Sequence, residues 1–539
     1  MDSHGVWLNN CLIDIKSIGQ SSLITVVFFF SAGVLGAADV PTNSTLASAT
    51  PPPVSVILTP KPAATPHING PAIFGVRPGS PFLYTMPVTG SRPMKFSADN
   101  MPRGLKLDSR TGRITGSLEM PGEIDVVLRA KNSLGTAEEK YRIVVGEDIE
   151  LTPAMGWNSY NCYGAHVTQD QALRAARAMV ASGLSQHGWT YINLDDGWQG
   201  RRGGRFNAIQ PGTNFSNMEK MCGEIHALGL KAGIYSTPWV TSYGRVIGGS
   251  SENPEGAWPP KTNNAPRNKK ILPYAVGKYS FANNDAAQWA AWGFDYLKYD
   301  WNPIELPQVA EMAGALRVAK RDIILSLSNN SRDRLLDRIA EIAPLAQSWR
   351  TTGDINDSWG SMSGIGFSEG SWAQFSRPGH WNDPDMLVVG QVGWGKPHPS
   401  KLTPDEQYTH ISLWCLLSAP LLIGCDLEKL DAFTFSLLSN DEVLAVDQDA
   451  MGKQALCIAS ENNLDVFAKP LEDGSLAVGL FNRSATNASI TANFSDLKIS
   501  GKQTVRDLWR QKDIGVFSDK FEAPVATHGV VLVRICPAD

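Results

Sequence analysis

Only seven cysteines and nine histidines occur in this 539-residue chain, so it has little from which to build a disulfide or metal scaffold. Cys11 lies near the amino terminus, and Cys162, Cys222, Cys415, Cys425, Cys457 and Cys536 are scattered without CxxC spacing. Most read as buried apolar thiols, and few or no disulfides are expected. The histidines show no paired ligand spacing and Asp383-Pro-Asp385 alone is insufficient as a site, so neither metal nor cofactor is expected. A Gly-rich phosphate fingerprint is missing from every strand-to-helix turn, which weakens any nucleotide-binding reading. Basic runs are missing too, and a formal net charge of −5 argues against a nucleic-acid partner. No repeat of solenoid or propeller period is visible.

Long hydrophobic runs are scarce as well. The stretch Leu23 to Leu35 falls short of a membrane span, so stable membrane insertion is not expected, but it fits the apolar region of a signal peptide with Gly36-Ala-Ala38 as cleavage site. Residues 1–38 are therefore read as a signal peptide and the protein as secreted or periplasmic. Upstream of the run Lys16 stands against Asp2 and Asp14, so an uncleaved anchor is the alternative.

What is present suits a multidomain enzyme, with 42% apolar and 19% charged residues, the balance of an ordinary globular protein. Residues 39–67 are rich in Pro, Thr and Ala and read as an exposed linker. From 68 to 147 short strands alternate with turn signals, among them Phe82-Leu-Tyr-Thr, Arg113-Ile-Thr-Gly and Lys140-Tyr-Arg-Ile-Val-Val, which predicts a small β-sandwich. From 148 to 446 short apolar tracts alternate with helical periodicity, as in Gln171 to Ser182 and Leu306 to Ala319. That rhythm predicts a catalytic (β/α)8 TIM barrel, with a doubly wound sheet as the competing topology. From 447 to 539 strand patterns return and predict a C-terminal antiparallel β-sandwich packed on the barrel.

Several barrel tracts end in acids. Asp295-Tyr-Leu-Lys-Tyr-Asp300 and Ser348-Trp-Arg-Thr-Thr-Gly-Asp354 each read as a strand that delivers a carboxylate at its C-terminal end. Two carboxylates on opposite sides of a glycosidic bond are the minimal apparatus for breaking it. Lys298 shares a strand face with Asp300 and can hold it charged or bind a sugar hydroxyl. Sixteen tryptophans add weak support for a carbohydrate partner, because indole faces pack well on sugar C–H surfaces.

Five strings carry a resemblance to a known family: Pro153-Ala-Met-Gly-Trp-Asn-Ser-Tyr160, Tyr191-Ile-Asn-Leu-Asp-Asp-Gly-Trp198, Tyr296-Leu-Lys-Tyr-Asp300, Trp349-Arg-Thr-Thr-Gly-Asp-Ile-Asn-Asp-Ser-Trp359 and Gly379-His-Trp-Asn-Asp-Pro-Asp-Met-Leu387. In order and spacing they resemble glycoside hydrolase family 27, the α-galactosidases and α-N-acetylgalactosaminidases. The segment Pro102 to Gly116 resembles an immunoglobulin-like module of the kind found before bacterial glycosidase barrels; it is expected to act as a spacer, with sugar binding as the alternative.

The resemblance implies a retaining mechanism with Asp300 as nucleophile and Asp354 as general acid/base. It also implies that Lys298, Arg350 and Asp385 contact sugar hydroxyls, that Trp157 stacks on the sugar, that Asp195 and Asp196 hold O4 and O6, and that Tyr235 joins the binding set. One departure concerns the substituent at C2. Where family members specific for galactose carry a Cys-Glu-Trp-type tract after the fifth strand and a Cys two residues after the nucleophile, this chain has Ser326-Leu-Ser-Asn-Asn-Ser331 and Asp300-Trp-Asn302. Asn329 and Asn302 are candidate readers of a C2 hydroxyl. The expected activity is an exo-acting α-galactosidase; a different glycone (N-acetylgalactosamine, arabinopyranose, a glucose type) or a barrel that binds sugar without turnover are the alternatives. Oligomeric state is not legible.

Overall fold

The structure, a computed structural model, describes residues 56–258, 274–328 and 335–538. The expected signal segment 1–38, the linker up to residue 55 and Asn329 lie outside the described residues.

Eight parallel strands form the central sheet: β1 (Met155–Asn158), β2 (Tyr191–Asn193), β3 (Lys231–Ser236), β4 (Tyr296–Asp300), β5 (Ile324–Ser328), β6 (Ser348–Arg350), β7 (Trp381–Asp383) and β8 (Leu421–Ile423). Each pairs with its successor from β1 to β7, and β8 returns to pair with β1. Leu387, just past β7, bridges Ile423; its N–H donates to the Leu422 carbonyl at 2.8 Å and its own carbonyl accepts from Gly424 at 3.1 Å. That contact joins the two ends of the sheet, so a closed barrel prevails over the doubly wound alternative. Every residue of β5 is buried, as a strand covered on both faces requires.

Helices cover the outside with narrow apolar faces. Gln169–Ala181 buries Ala172, Leu173, Ala175, Ala176 and Met179, and it starts at a capping box in which the Thr168 hydroxyl accepts from the Gln171 N–H while the Gln171 side chain accepts from the Thr168 N–H. Among the described residues no helix is long and apolar enough to cross a membrane, and no group of His, Cys, Asp and Glu is placed to hold a metal ion. Cys162, Cys222, Cys415, Cys425, Cys457 and Cys536 are unpaired thiols.

The amino-terminal module is a sandwich of a four-stranded sheet (Ile73–Val76, Thr136–Val145, Gly122–Lys131, Lys95–Asp99) and a three-stranded one (Phe82–Thr85, Arg113–Gly116, Leu105–Leu107). Alternation along Gly122–Lys131 sends Val126, Leu128 and Ala130 into its core. The module is seated on the barrel. The Arg77 N–H and the Ser80 hydroxyl donate to Asp322 at 2.9 and 3.0 Å, the Thr85 hydroxyl donates to the Gly229 carbonyl at 2.9 Å, Arg113 reaches the Ala227 carbonyl at 2.6 Å, and the Lys231 ammonium sits 4.7 Å from the Phe74 ring centroid. Gly229, Lys231 and Asp322 all lie at or before strand starts, so the module closes the end of the barrel opposite the strand C-termini. Ile149, Ala154, Tyr191, Tyr296 and Ile324 form a small apolar cluster at that end.

The C-terminal sandwich pairs a six-stranded sheet, Leu456–Glu461 through Val530–Pro537, with the strands Ala488–Asn493 and Lys520–Val525. It docks through buried polar groups: Lys469 donates to the Ser418 hydroxyl at 2.6 Å and to the Val446 carbonyl, and the Trp509 indole donates to Ser412 at 2.9 Å.

Candidate active site

Parallel strands that end at a common level present their last residues to one mouth, and here those residues are acidic or basic. A cavity of about 170 Å³ opens there, lined by Asp195 and Asp196 beyond β2, Tyr235 of β3, Lys298 and Asp300 of β4, Arg350 of β6, and Asp354 and Asp385 from the following loops. Eight of the residues singled out from sequence are thus brought to one place.

Two ion pairs organise the floor. Lys298 Nζ lies 2.8 Å from Asp195 Oδ2, and both side chains are largely buried. Burial alone would lower the Lys298 ammonium, but the charges of Asp195, Asp300 and Asp385 outweigh it and hold the group above its ordinary value. Arg350 Nη2 lies 2.9 Å from Asp385 Oδ2 and 3.2 Å from Asp354 Oδ1. Asp385 also accepts from the Ile355 N–H at 2.8 Å, and its backbone sits at φ 83°, a left-handed conformation that costs a non-glycine residue about 1–3 kcal/mol. The surrounding bonds hold it there.

Asp196 is tied down on both oxygens. Ser242 donates to Oδ1 at 2.8 Å and the Gly244 N–H donates to Oδ2 at 2.5 Å. Burial pushes its carboxyl up to about 6, against those hydrogen bonds. Asp300 is likewise pushed up to about 6, first by burial and then by the negative charges of Asp195 and Asp354, with Lys298 and Arg350 opposing. The Tyr235 hydroxyl donates to Asp300 Oδ2 at 3.1 Å; burial, then Asp196 and Asp300, keep that phenol protonated and a donor. Asp354 contrasts with this setting, its side chain being 84% exposed at the mouth.

One sequence expectation is corrected. Trp157 does not line the cavity: its ring is fully buried and its Nε1–H donates to the Cys425 carbonyl at 2.8 Å, because β1 turns that side chain into the barrel wall. Tyr160, three residues on, lines the cavity instead, its ring centroid 5.8 Å from the Lys298 ammonium. Asn302 follows β4 and is half-buried, and Ser328, the register partner of Asp300 on β5, lines the cavity wall. Asn329 lies outside the described residues.

Sequence reasoning passed over Asn161, Tyr243, Ile355, Met386 and Trp394, which also line the cavity. Tyr160, Ile355 and Met386 stood inside the matched strings and were there to be found. Tyr243 and Trp394 come from loops after β3 and β7 whose course no local pattern announces.

A (β/α)8 barrel whose mouth holds Asp300 and Asp354 in one cavity, beside the Lys298–Asp195 and Arg350–Asp385 ion pairs, has the carboxylate apparatus of a glycoside hydrolase. Comparison with known proteins narrows the class. The family model "Alpha galactosidase A" matches residues 268–449, the model "Alpha galactosidase C-terminal beta sandwich domain" matches 461–535, and an Ig domain model matches 65–146. "Alpha-galactosidase 2" of Arabidopsis thaliana is 35% identical over 397 residues, covering 72% of this chain and 90% of that protein. A protein of known structure from Bacteroides fragilis superposes with a TM-score of 0.78 at 30% identity, covering 88% of this chain and 99% of the other. A β-L-arabinopyranosidase from Geobacillus stearothermophilus is similar with a TM-score of 0.62 at 26% identity, over 72% of this chain and 98% of its own. This chain belongs to the α-galactosidase family, glycoside hydrolase family 27.

Proposed function

We propose that the protein removes terminal α-D-galactosyl residues from oligosaccharides or glycans with retention of configuration. Asp300 attacks the anomeric carbon while Asp354 gives its proton to the departing oxygen, and the glycosyl–Asp300 ester is then cleaved by a water that Asp354 deprotonates. The observation that carries this reading is that Asp300 and Asp354 face one cavity in different settings. Asp300 is half-buried at the cavity floor and touched by Tyr235, whereas Asp354 is exposed where the leaving group and water pass. Asp195 and Asp196, with Lys298, supply acceptors and a donor for an axial O4 and for O6, and Arg350 with Asp385 serves the hydroxyls across the ring. A β-L-arabinopyranoside presents the same ring hydroxyls without the C6 group, and likeness to the Geobacillus enzyme makes it the second glycone to test.

The experiment compares aryl α-galactoside with aryl β-L-arabinopyranoside and follows the first-released sugar by proton NMR. The α-anomer of galactose is expected before mutarotation, and an initial β-product overturns retention. Asp300→Ala abolishes turnover, whereas Asp354→Ala keeps partial activity on substrates whose leaving group needs no proton. Equal loss on activated and unactivated glycosides would sink the assignment of roles. We further propose that the protein is exported, on the apolar run at 23–35 and the small residues after it; sequencing the amino terminus of the mature protein tests this.

A further inference from the structure

Beside the cavity mouth three aromatic rings gather on the loop that follows β3. Trp239 and Tyr243 have ring centroids 5.1 Å apart, Trp239 and Tyr274 5.2 Å, and Tyr243 and Tyr274 5.5 Å. Trp239 is buried and forms the base, while Tyr243 and Tyr274 are 37% and 45% exposed. Exposed apolar residues scattered singly mean little, but a contiguous patch such as these two rings make is a mark of an interaction site. The cluster is also held in place. Trp239 bridges Val276 in antiparallel fashion and the Val240 N–H donates to the Ala275 carbonyl at 2.9 Å, so the two backbones that carry the rings lie side by side.

Continuity with the catalytic cavity says what covers the open faces. Tyr243 itself lines that cavity with Asp300 and Asp354. Its neighbours Ser242 and Gly244 both donate to Asp196, so the loop that presents the ring is fastened to the floor that holds the glycone. The Tyr243 hydroxyl is held above its ordinary value, first by burial and then by the charges of Asp300 and Asp354, as its nearness to both carboxylates requires. A group leaving past Asp354 therefore emerges beside this ring.

We propose that Tyr243 and Tyr274, backed by Trp239, form a stacking platform for the sugar ring on the leaving-group side of the scissile bond, which makes the enzyme favour an oligosaccharide over a glycoside with a small aglycone. The inference rests on the glycosidase reading above and adds the recognition of the leaving sugar to it. A pyranose has an apolar C–H face that an aromatic face covers at low entropic cost, and Tyr is stiff enough to be ready for it.

The test measures kcat/KM on melibiose, whose leaving group is a sugar ring, and on methyl α-galactoside, whose leaving group has none. In Tyr274→Ala the ratio of the two falls about tenfold relative to wild type, a factor equivalent to about 1.4 kcal/mol. Tyr274→Phe keeps the ring face and keeps the wild-type ratio. An unchanged ratio in Tyr274→Ala, or an equal fall in Tyr274→Phe, overturns the platform. If the wild type turns over neither compound the galactose reading fails, and the same ratio, taken between the disaccharide and the methyl glycoside of the glycone it does accept, decides the platform separately.

Discussion

Replacing Tyr235 by Phe removes one hydroxyl and almost no volume, and its consequence can be worked through from the geometry. That hydroxyl donates to Asp300 Oδ2 at 3.1 Å, in a place where burial already pushes the carboxyl up to about 6. A hydrogen bond to a charged group contributes about 1.5–3 kcal/mol, and part of it survives when the acid is protonated, so the differential loss is about 1–1.5 kcal/mol. At about 1.4 kcal/mol per pH unit, the Asp300 carboxyl rises by about one unit. The sign follows directly. The ionised form is the nucleophile, the mutation disfavours that form, and the acid limb of kcat/KM moves from about 6 toward about 7. Measured on an activated aryl glycoside, for which proton donation matters least, the wild-type to mutant ratio of kcat/KM is about 10 well below both limbs and close to 1 above them. A uniform loss at every pH would show that Tyr235 binds sugar and does not tune Asp300. An unmoved acid limb would mean that the hydrogen bond is absent when the enzyme works.

Three further outcomes are expected. Asp285→Ala strips Arg202 of its bidentate partner at 2.6 and 3.2 Å in a pair where each side chain is 1% exposed, so stability in denaturant titration falls by about 3–5 kcal/mol. A surface-sized loss under about 1 kcal/mol would show that water reaches the pair. Deleting residues 1–146 uncovers Asp322 and Lys231, which face the amino-terminal module, and removes several hydrogen bonds at roughly 0.5–1.5 kcal/mol each. The denaturation midpoint is expected to drop while KM on a small aryl glycoside stays within about twofold, since the module sits at the far end of the barrel; a large KM change would refute that separation. Finally, Arg350→Met leaves the buried Asp385 carboxylate without its 2.9 Å partner, so binding of free galactose, followed by calorimetry, weakens at least tenfold, about 1.4 kcal/mol, and unchanged affinity would remove Arg350 from the sugar site.

By itself, the sequence determined the architecture and the chemistry of the strand ends. Strand and helix periods, with turn residues between them, follow from local backbone and side-chain geometry, so the barrel and both sandwiches were legible without coordinates. The strand Ile73–Val76 was not, since four residues with a central Gly give no alternation to read. Acids at the ends of Tyr296–Asp300 and after Ser348–Arg350 pointed to one mouth because parallel strands must end together. Tertiary structure decided which neighbours of those acids face the sugar. Trp157 sits in a strand buried at every residue and is wall, Tyr160 opens the short helix after that strand and is lining, and Ser328 ends β5 beside Asp300. It also decided the seat of the amino-terminal module on the barrel's closed end and the meeting of Trp239, Tyr243 and Tyr274. Those contacts join residues far apart in the chain, and loops carry no periodicity from which such contacts can be read.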